Sequence, residues 1–146
     1  MKQIGFVISA AILFVAVLSG CDTLSKLPTN TTGGLFSLNG NWQLQSSTDA
    51  NALVGSVVTV FPVLGNGSVK SLENNTYCLR VSDIVWKEIK SAQTGGFSVN
   101  NLVSECNSSV VYKTALITVV DNDNVKLTGK TVNDKDLVQL WKRVQN

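Results

Sequence analysis

The chain after Gly34 consists of short alternating runs of apolar and polar residues, interrupted at close intervals by turn-forming residues. Trp42 and Leu44 alternate with Gln43 and Gln45, which is the two-residue period of a half-buried strand. No segment of this region repeats apolar residues at helical spacing. We therefore expect an all-β fold of about eight short antiparallel strands, arranged as a sandwich or an up-and-down barrel. The predicted strands lie around Trp42 and over residues 57–63, 68–72, 77–81, 84–89, 97–99, 110–120, 125–129 and 137–144, and residues 100–109 carry no clear pattern.

The N-terminus resembles an export signal. Lys2 precedes an apolar run over residues 4–18, and the run ends in the tetrapeptide LSGC at residues 18–21. This pattern resembles the lipobox of a bacterial lipoprotein precursor, which implies cleavage before Cys21 and acylation of the chain at that residue, with palmitate among the acyl chains. The apolar run is shorter than the roughly 20 residues that a membrane span needs. A plain secretory peptide, cut before an ordinary cysteine, is the alternative.

The predicted organisation has three parts: a signal peptide over residues 1–20, a lipidated Cys21 with a flexible tether over residues 21–34, and one barrel domain over residues 35–146. The tether segment is rich in Thr, Asn and Gly and has no apolar periodicity, as is typical of linkers. Its acyl chains would attach the domain to a membrane of the bacterial cell envelope, inner or outer. The domain would face the periplasm or the cell exterior.

Composition excludes several classes of function. The chain has no His, which removes Ser-His-Asp and Cys-His catalysis. Two carboxylate pairs, Asp121 with Asp123 and Asp134 with Asp136, fall in short turns. In such turns Asp side chains usually accept hydrogen bonds from the backbone, so we do not expect them to bind a cation. The net charge is +2, and the sequence has no cluster of Lys and Arg that could form a basic surface for nucleic acid. We expect no enzyme activity, no cofactor, no metal site and no nucleic-acid partner.

The cysteines agree with an exported chain. With Cys21 assigned to lipid, Cys78 and Cys106 remain as an even pair. We expect a disulfide between them, and two buried free thiols are the alternative. Zinc would need further ligands that a chain without His does not supply.

Both ends of the domain resemble lipocalin-like proteins. Gly40-Asn41-Trp42 is similar to the Gly-x-Trp first strand of that family, and residues 125–130 with residues 140–144 are similar to the last hairpin of small lipocalin-like bacterial lipoproteins. The resemblance implies an up-and-down lipocalin-like β-barrel in which Trp42 packs under Arg143 and closes one end. A guanidinium is attracted to the face of an indole ring, so this pairing is physically reasonable.

Two functions fit such a barrel. The first is a carrier or sensor that holds a small hydrophobic ligand in the barrel, with lining residues such as Phe61, Trp86 and Tyr112. The second is an interaction module, filled by its own side chains, that contacts an envelope protein through loops near Cys78 and Cys106. For the second function, residues 91–109 are the expected contact surface. An open apolar interior would favour the carrier, and a packed interior would favour the interaction module.

Overall fold

The strands close into one antiparallel barrel. The computed structural model describes residues 36–50, 52–93, 95–104, 106 and 109–145, and the expected signal peptide, lipidated Cys21 and tether lie outside those residues. Each strand pairs with the next along the chain and the last pairs with the first, which confirms the all-β up-and-down barrel. Among the described residues, no helix has the length and apolar character needed to cross a membrane. The strands are β1 (Gly40–Ser47), β2 (Val57–Phe61), β3 (Asn66–Ser71), β4 (Ile84–Ser91), β5 (Phe97–Val103), β6 (Val111–Val119), β7 (Asn124–Lys130) and β8 (Asp136–Val144).

Pairing between β1 and β8 closes the barrel. Its register runs from Asn41 opposite Val144 to Ser47 opposite Gln139, with one irregularity after Leu44. Closure removes the two edges that an open sheet of these strands would expose.

Alternate side chains of each strand fill the barrel. In β1, Trp42 and Leu44 are fully buried while Gln45 is exposed, as the two-residue period predicts. Phe36 and Leu38, which precede β1, are buried in the same core. The largest fully buried side chains are Trp42, Trp86, Leu38, Leu44, Ile117, Leu127, Leu137, Val60, Val99, Val103 and Val125.

The predicted strand over residues 77–81 is wrong. These residues form a loop between β3 and β4, in which Cys78 has a φ of 54°. The Asn75 side chain accepts a hydrogen bond from the Leu79 amide and donates one to the Leu79 carbonyl. Cys78 is in the left-handed conformation, which a strand does not allow. The Leu79 backbone groups bond to a nearby side chain and not to a neighbouring strand.

Two strand ends also differ from the prediction. β2 stops at Phe61 because Pro62 begins a 3-10 turn (Pro62–Leu64), and proline has no N–H to donate to a ladder. β5 continues to Val103, through residues that the sequence left unassigned. Its asparagines resemble a turn in composition, but Asn101 is buried inside the barrel.

The barrel has two ends that are covered differently. The entry end holds residues 36–39, the β2–β3, β4–β5 and β6–β7 turns, and the last residues of β8. The disulfide end holds the remaining connections, and Cys78–Cys106 joins two of them, β3–β4 and β5–β6. Successive strands run in opposite directions, so these two groups lie at opposite ends.

Candidate functional site

Arg143 lies beside Trp42 at the entry end. The two residues are cross-strand partners in β1 and β8, and the guanidinium carbon lies 4.3 Å from the centroid of the Trp42 ring. Trp42 is fully buried, whereas 27% of the Arg143 side chain is exposed. The cation therefore separates the indole face from water while remaining partly hydrated.

Arg143 also holds the segment that leads into the barrel. Its Nη1 donates to the Asn39 carbonyl at 2.6 Å, and its Nη2 donates to the Ser37 carbonyl at 2.7 Å. Gly40 has a φ of 125°, and a Cβ at that position would lie 3.0 Å from Nη1. The glycine of the Gly-x-Trp motif thus supplies a backbone conformation that other residues rarely adopt, and it leaves room for the guanidinium.

The turn between β6 and β7 completes the surroundings of this cation. The Asn122 carbonyl accepts a hydrogen bond from Arg143 Nε at 3.2 Å, and Asp123 Oδ1 lies 3.8 Å from the same nitrogen. Burial lowers the pKa of Arg143 from its ordinary value, and the nearby Asp123 carboxylate opposes that shift. Arg143 stays charged because the ordinary pKa of a guanidinium lies far above neutral pH. One cation therefore joins the entry segment, the β6–β7 turn and β8.

An aromatic layer lies beneath Arg143. The Phe36 ring centroid is 6.1 Å from that of Trp42 and 6.1 Å from that of Phe97. Trp42 Nε1 donates to the Leu38 carbonyl at 2.9 Å, which gives a buried indole N–H the acceptor that it needs. Packed side chains thus close the entry end.

Two further tryptophans meet inside the barrel. The rings of Trp86 and Trp141 pack edge to face with centroids 4.9 Å apart. Asn101 Oδ1 accepts a hydrogen bond from Trp86 Nε1 at 3.0 Å, and Gln139 Oε1 accepts one from Trp141 Nε1 at 3.2 Å. Sequence reasoning did not find these two amides. A signal was available for Gln139 alone, because it lies in β8 between the inward-facing Leu137 and Trp141.

Two glycines border this packed interior. A Cβ at Gly67 would lie 3.1 Å from the Trp86 ring and 3.2 Å from a Val58 methyl group. A Cβ at Gly129 would lie 2.9 Å from the Ala115 Cβ. These separations are shorter than ordinary contacts between carbon atoms, about 3.5–4.0 Å. A methyl group at residue 129 would clash with Ala115, and one at residue 67 would require Trp86 or Val58 to move by a few tenths of an ångström.

Of the three residues named as examples of a ligand lining, Trp86 lies inside and the other two do not. Phe61 follows the inward Val60 at the end of β2 and is 50% exposed. Tyr112 lies on the outer face of β6, where the Lys87 Nζ is 3.9 Å from its ring centroid. The expectation was wrong for Phe61 and Tyr112 because it considered residue type and ignored strand parity.

The expected disulfide is confirmed at the other end. Cys78 and Cys106 are bonded, with Cα atoms 5.1 Å apart and a separation of 28 in sequence. Beside them, the buried Tyr77 donates its hydroxyl hydrogen to Asp49 Oδ2 at 2.5 Å. The β3–β4 loop is therefore fixed both to the β5–β6 connection and to the β1–β2 connection.

A small pocket lies next to these residues. Its volume is 190 Å³, less than the roughly 300–1,000 Å³ of typical ligand sites. Its walls combine charged, hydroxyl, amide and small apolar groups. It is lined by Asp49, Ala50, Ala52, Thr76, Tyr77, Ser104, Thr131, Val132, Asn133 and Lys135.

The expected contact surface over residues 91–109 is wrong as a single surface. Strand β5 occupies the middle of that segment, and five of its seven residues are buried. The connection before β5 lies at the entry end, and the connection after it lies at the disulfide end. The loops near Cys78 and Cys106 do lie together, since the disulfide joins them.

The turn carboxylates are engaged within the protein. Asp121 accepts hydrogen bonds from the Asp123 amide and the Asn124 side chain, and these bonds lower the pKa of Asp121. Asp134 lies 2.6 Å from the Lys113 Nζ, and this hydrogen-bonded ion pair lowers the pKa of Asp134. Within the ranges that the structure describes, no three His, Cys, Asp or Glu residues form a group able to hold a metal ion.

Comparison with known proteins identifies no relative. No family model matches the chain, no curated protein matches it, and no solved structure matches it.

Proposed function

We propose that this chain is a non-catalytic lipoprotein of the bacterial cell envelope, whose lipocalin-like barrel binds a protein partner at the disulfide end. The packed interior is the observation that carries the proposal. Trp86 and Trp141 are in contact there, a Cβ at Gly129 would lie 2.9 Å from that of Ala115, and a Cβ at Gly67 would lie 3.1 Å from the Trp86 ring. A barrel filled by its own side chains has its surface available for function. We therefore favour an interaction module over a carrier of a small hydrophobic ligand.

Anchoring through Cys21 fits the direction in which the chain enters the barrel. The lipobox-like tetrapeptide at residues 18–21 precedes a linker-like segment that leads to Phe36 at the entry end. A lipid anchor on Cys21 would hold the entry end nearer the membrane. In the orientations that keep the entry end on the membrane, the disulfide end points away from it, where another envelope protein has access to it.

The disulfide end has the properties of a prearranged contact surface. Its β3–β4 loop is fixed by the Cys78–Cys106 bond and by the Asn75 side chain. Val81 is 60% exposed and Val110 is 66% exposed on the two loops that the disulfide joins. Loops that are already ordered lose less conformational entropy when a partner binds.

The test is site-specific photo-crosslinking in the native host. A photoreactive residue placed at Val81 or at Val110 should form the same covalent adduct with one envelope protein. The control position is Leu140, which is 44% exposed on the outer wall of β8 and should give no such adduct. The adduct should weaken in the Cys78→Ser, Cys106→Ser double variant, because the loops lose their fixed arrangement. Absence of any adduct from both loop positions in correctly localised protein would contradict the proposal.

A further inference from the structure

The turn between β2 and β3 presents apolar side chains to solvent. We call residues 61–64, with the sequence Phe-Pro-Val-Leu, the apolar tip. Phe61 is 50% exposed, Val63 is 99% exposed and Leu64 is 71% exposed. Single exposed apolar residues are ordinary. Several adjacent ones in a turn indicate a surface that binds another apolar surface, such as a protein or a membrane. We propose that the apolar tip inserts into the lipid surface to which Cys21 is anchored, an inference that rests on the anchoring proposed above.

The fold does not require apolar residues at the tip. The inward positions of β2 are Val58 and Val60, and the chain leaves the sheet after Phe61. The turn is held by its backbone, because the Gly65 amide donates to the Pro62 carbonyl at 2.9 Å. Gly65 has a φ of 67°, which glycine tolerates at the end of a turn. Polar side chains at residues 63 and 64 would fit this backbone equally well.

The tip lies on the side of the barrel from which the chain leads to Cys21. Ser37 and Asn39 line one groove of 320 Å³ together with the apolar tip. The 14 residues between Cys21 and Phe36 span at most about 50 Å when fully extended. A lipid on Cys21 therefore holds the tip within reach of the same membrane.

The chemistry of the tip suits the boundary between headgroups and acyl chains. Its four residues carry no charge, and the neighbouring Ser37, Asn39 and Asn66 are polar and uncharged. Charges do lie nearby, because Glu88 and Lys90 flank Ile89, whose amide donates to the Gly65 carbonyl, and the two pair with each other at 3.4 Å on the exposed surface. The apolar tip can enter the outer ~5–10 Å of a bilayer while this ion pair stays in the hydrated headgroup layer. A tether permits many orientations of the barrel, and insertion of the tip would select the one that directs the disulfide end outward.

The test uses the full lipidated chain in vesicles of phosphatidylethanolamine and phosphatidylglycerol. An environment-sensitive NBD fluorophore is attached to Val63→Cys, and in a control protein to Val81→Cys at the disulfide end. Both native positions are well exposed, at 99% and 60%, so the labels should not disturb the core. We expect the fluorophore at residue 63 to become several-fold brighter, to shift to the blue, and to be quenched by brominated acyl chains. The fluorophore at residue 81 should behave as in water. Adding Leu64→Asp should reduce the quenching at residue 63.

Three results would overturn the inference. First, the protein could sediment with the vesicles while the fluorophore at residue 63 stays in water. The anchor would then be present, but the tip would not be inserted. A fluorophore that brightens without quenching by brominated lipid indicates that the tip contacts protein. Failure of the chain to sediment with vesicles contradicts the anchor itself, and the inference fails together with the proposed function.

Discussion

At the scale of single residues, Arg143 joins parts of the chain that are distant in sequence. Arg143→Ala would remove the contact with Trp42 and the hydrogen bonds to the Ser37 and Asn39 carbonyls. We expect the free energy of unfolding to fall by roughly 1–3 kcal/mol, as measured by denaturant titration followed through tryptophan fluorescence. Lys142→Ala is the matched control, because Lys142 is an exposed neighbour, and its effect should be within about 0.5 kcal/mol. Equal effects of the two substitutions would show that Arg143 does not stabilise the entry end.

Gly129 tests the packing of the interior. In Gly129→Ala the new Cβ would lie 2.9 Å from that of Ala115, and overpacking of this kind costs about 1–3 kcal/mol. Ala115→Gly removes the opposing methyl group, so the double variant should recover part of the stability lost by Gly129→Ala. The coupling free energy of this double-mutant cycle is the quantity to measure, again by denaturant unfolding. A Gly129→Ala protein as stable as the parent would show that the interior can accept another methyl group and is not tightly packed at this point.

At the scale of elements, local patterns predict strands well where apolar alternation is unbroken. Strands β7 and β8 could be predicted because apolar residues alternate through them and Asn/Asp turns bound them. The second half of β5 could not be predicted. Asn101 is a polar residue in the interior, and its hydrogen-bond partner, Trp86, belongs to a different strand, β4. Residues 77–81 have strand-like composition, but the left-handed Cys78 and its distant partner set their conformation. Long-range contacts of this kind leave no periodic signal in the sequence.

The disulfide links the β3–β4 connection to the β5–β6 connection. Replacing Cys78 and Cys106 with Ser together should lower the free energy of unfolding by roughly 3.5 kcal/mol in the chain-entropy model. The parent protein unfolded in the presence of a reductant should show the same loss. The double variant should not respond to reductant, which is the internal control. If reductant leaves the parent as stable as before, the disulfide contributes nothing to the fold.

The ion pair between β6 and the β7–β8 turn predicts a dependence on pH. Lys113 lowers the pKa of Asp134, so the folded state favours the ionised carboxylate more than the unfolded state does. This stabilisation is present above the ordinary pKa of Asp134, 3.8, and is lost as the pH falls below that value. Asp134→Asn, which also tolerates the φ of 61° at this position, should be less stable than the parent at neutral pH.

Denaturant unfolding at a series of pH values checks this expectation. The difference in free energy between the parent and Asp134→Asn should shrink as the pH is lowered through the range below 3.8. A difference that stays constant from neutral to acidic pH would show that the carboxylate charge is not the source of the effect.

At the scale of the whole molecule, the barrel separates two tasks between its two ends. The entry end faces its proposed membrane with the apolar tip, and the disulfide end offers loops to the proposed partner. Sequence motifs at the domain ends could predict the neighbouring positions of Trp42 and Arg143. Those motifs do not locate the exposed surfaces, which follow from strand parity: Phe61 lies outside and Gln139 inside.

The central claim is a lipid-anchored barrel that is filled by its own side chains, and native mass spectrometry of the chain purified from its own host tests it most directly. We predict one mass, that of the chain from Cys21 with acyl chains attached and with the Cys78–Cys106 bond intact. Denaturation should release no further molecule. A stoichiometric apolar compound released on denaturation would make the protein a carrier, and a mature chain without acyl chains would remove the anchor. Either result would contradict the account.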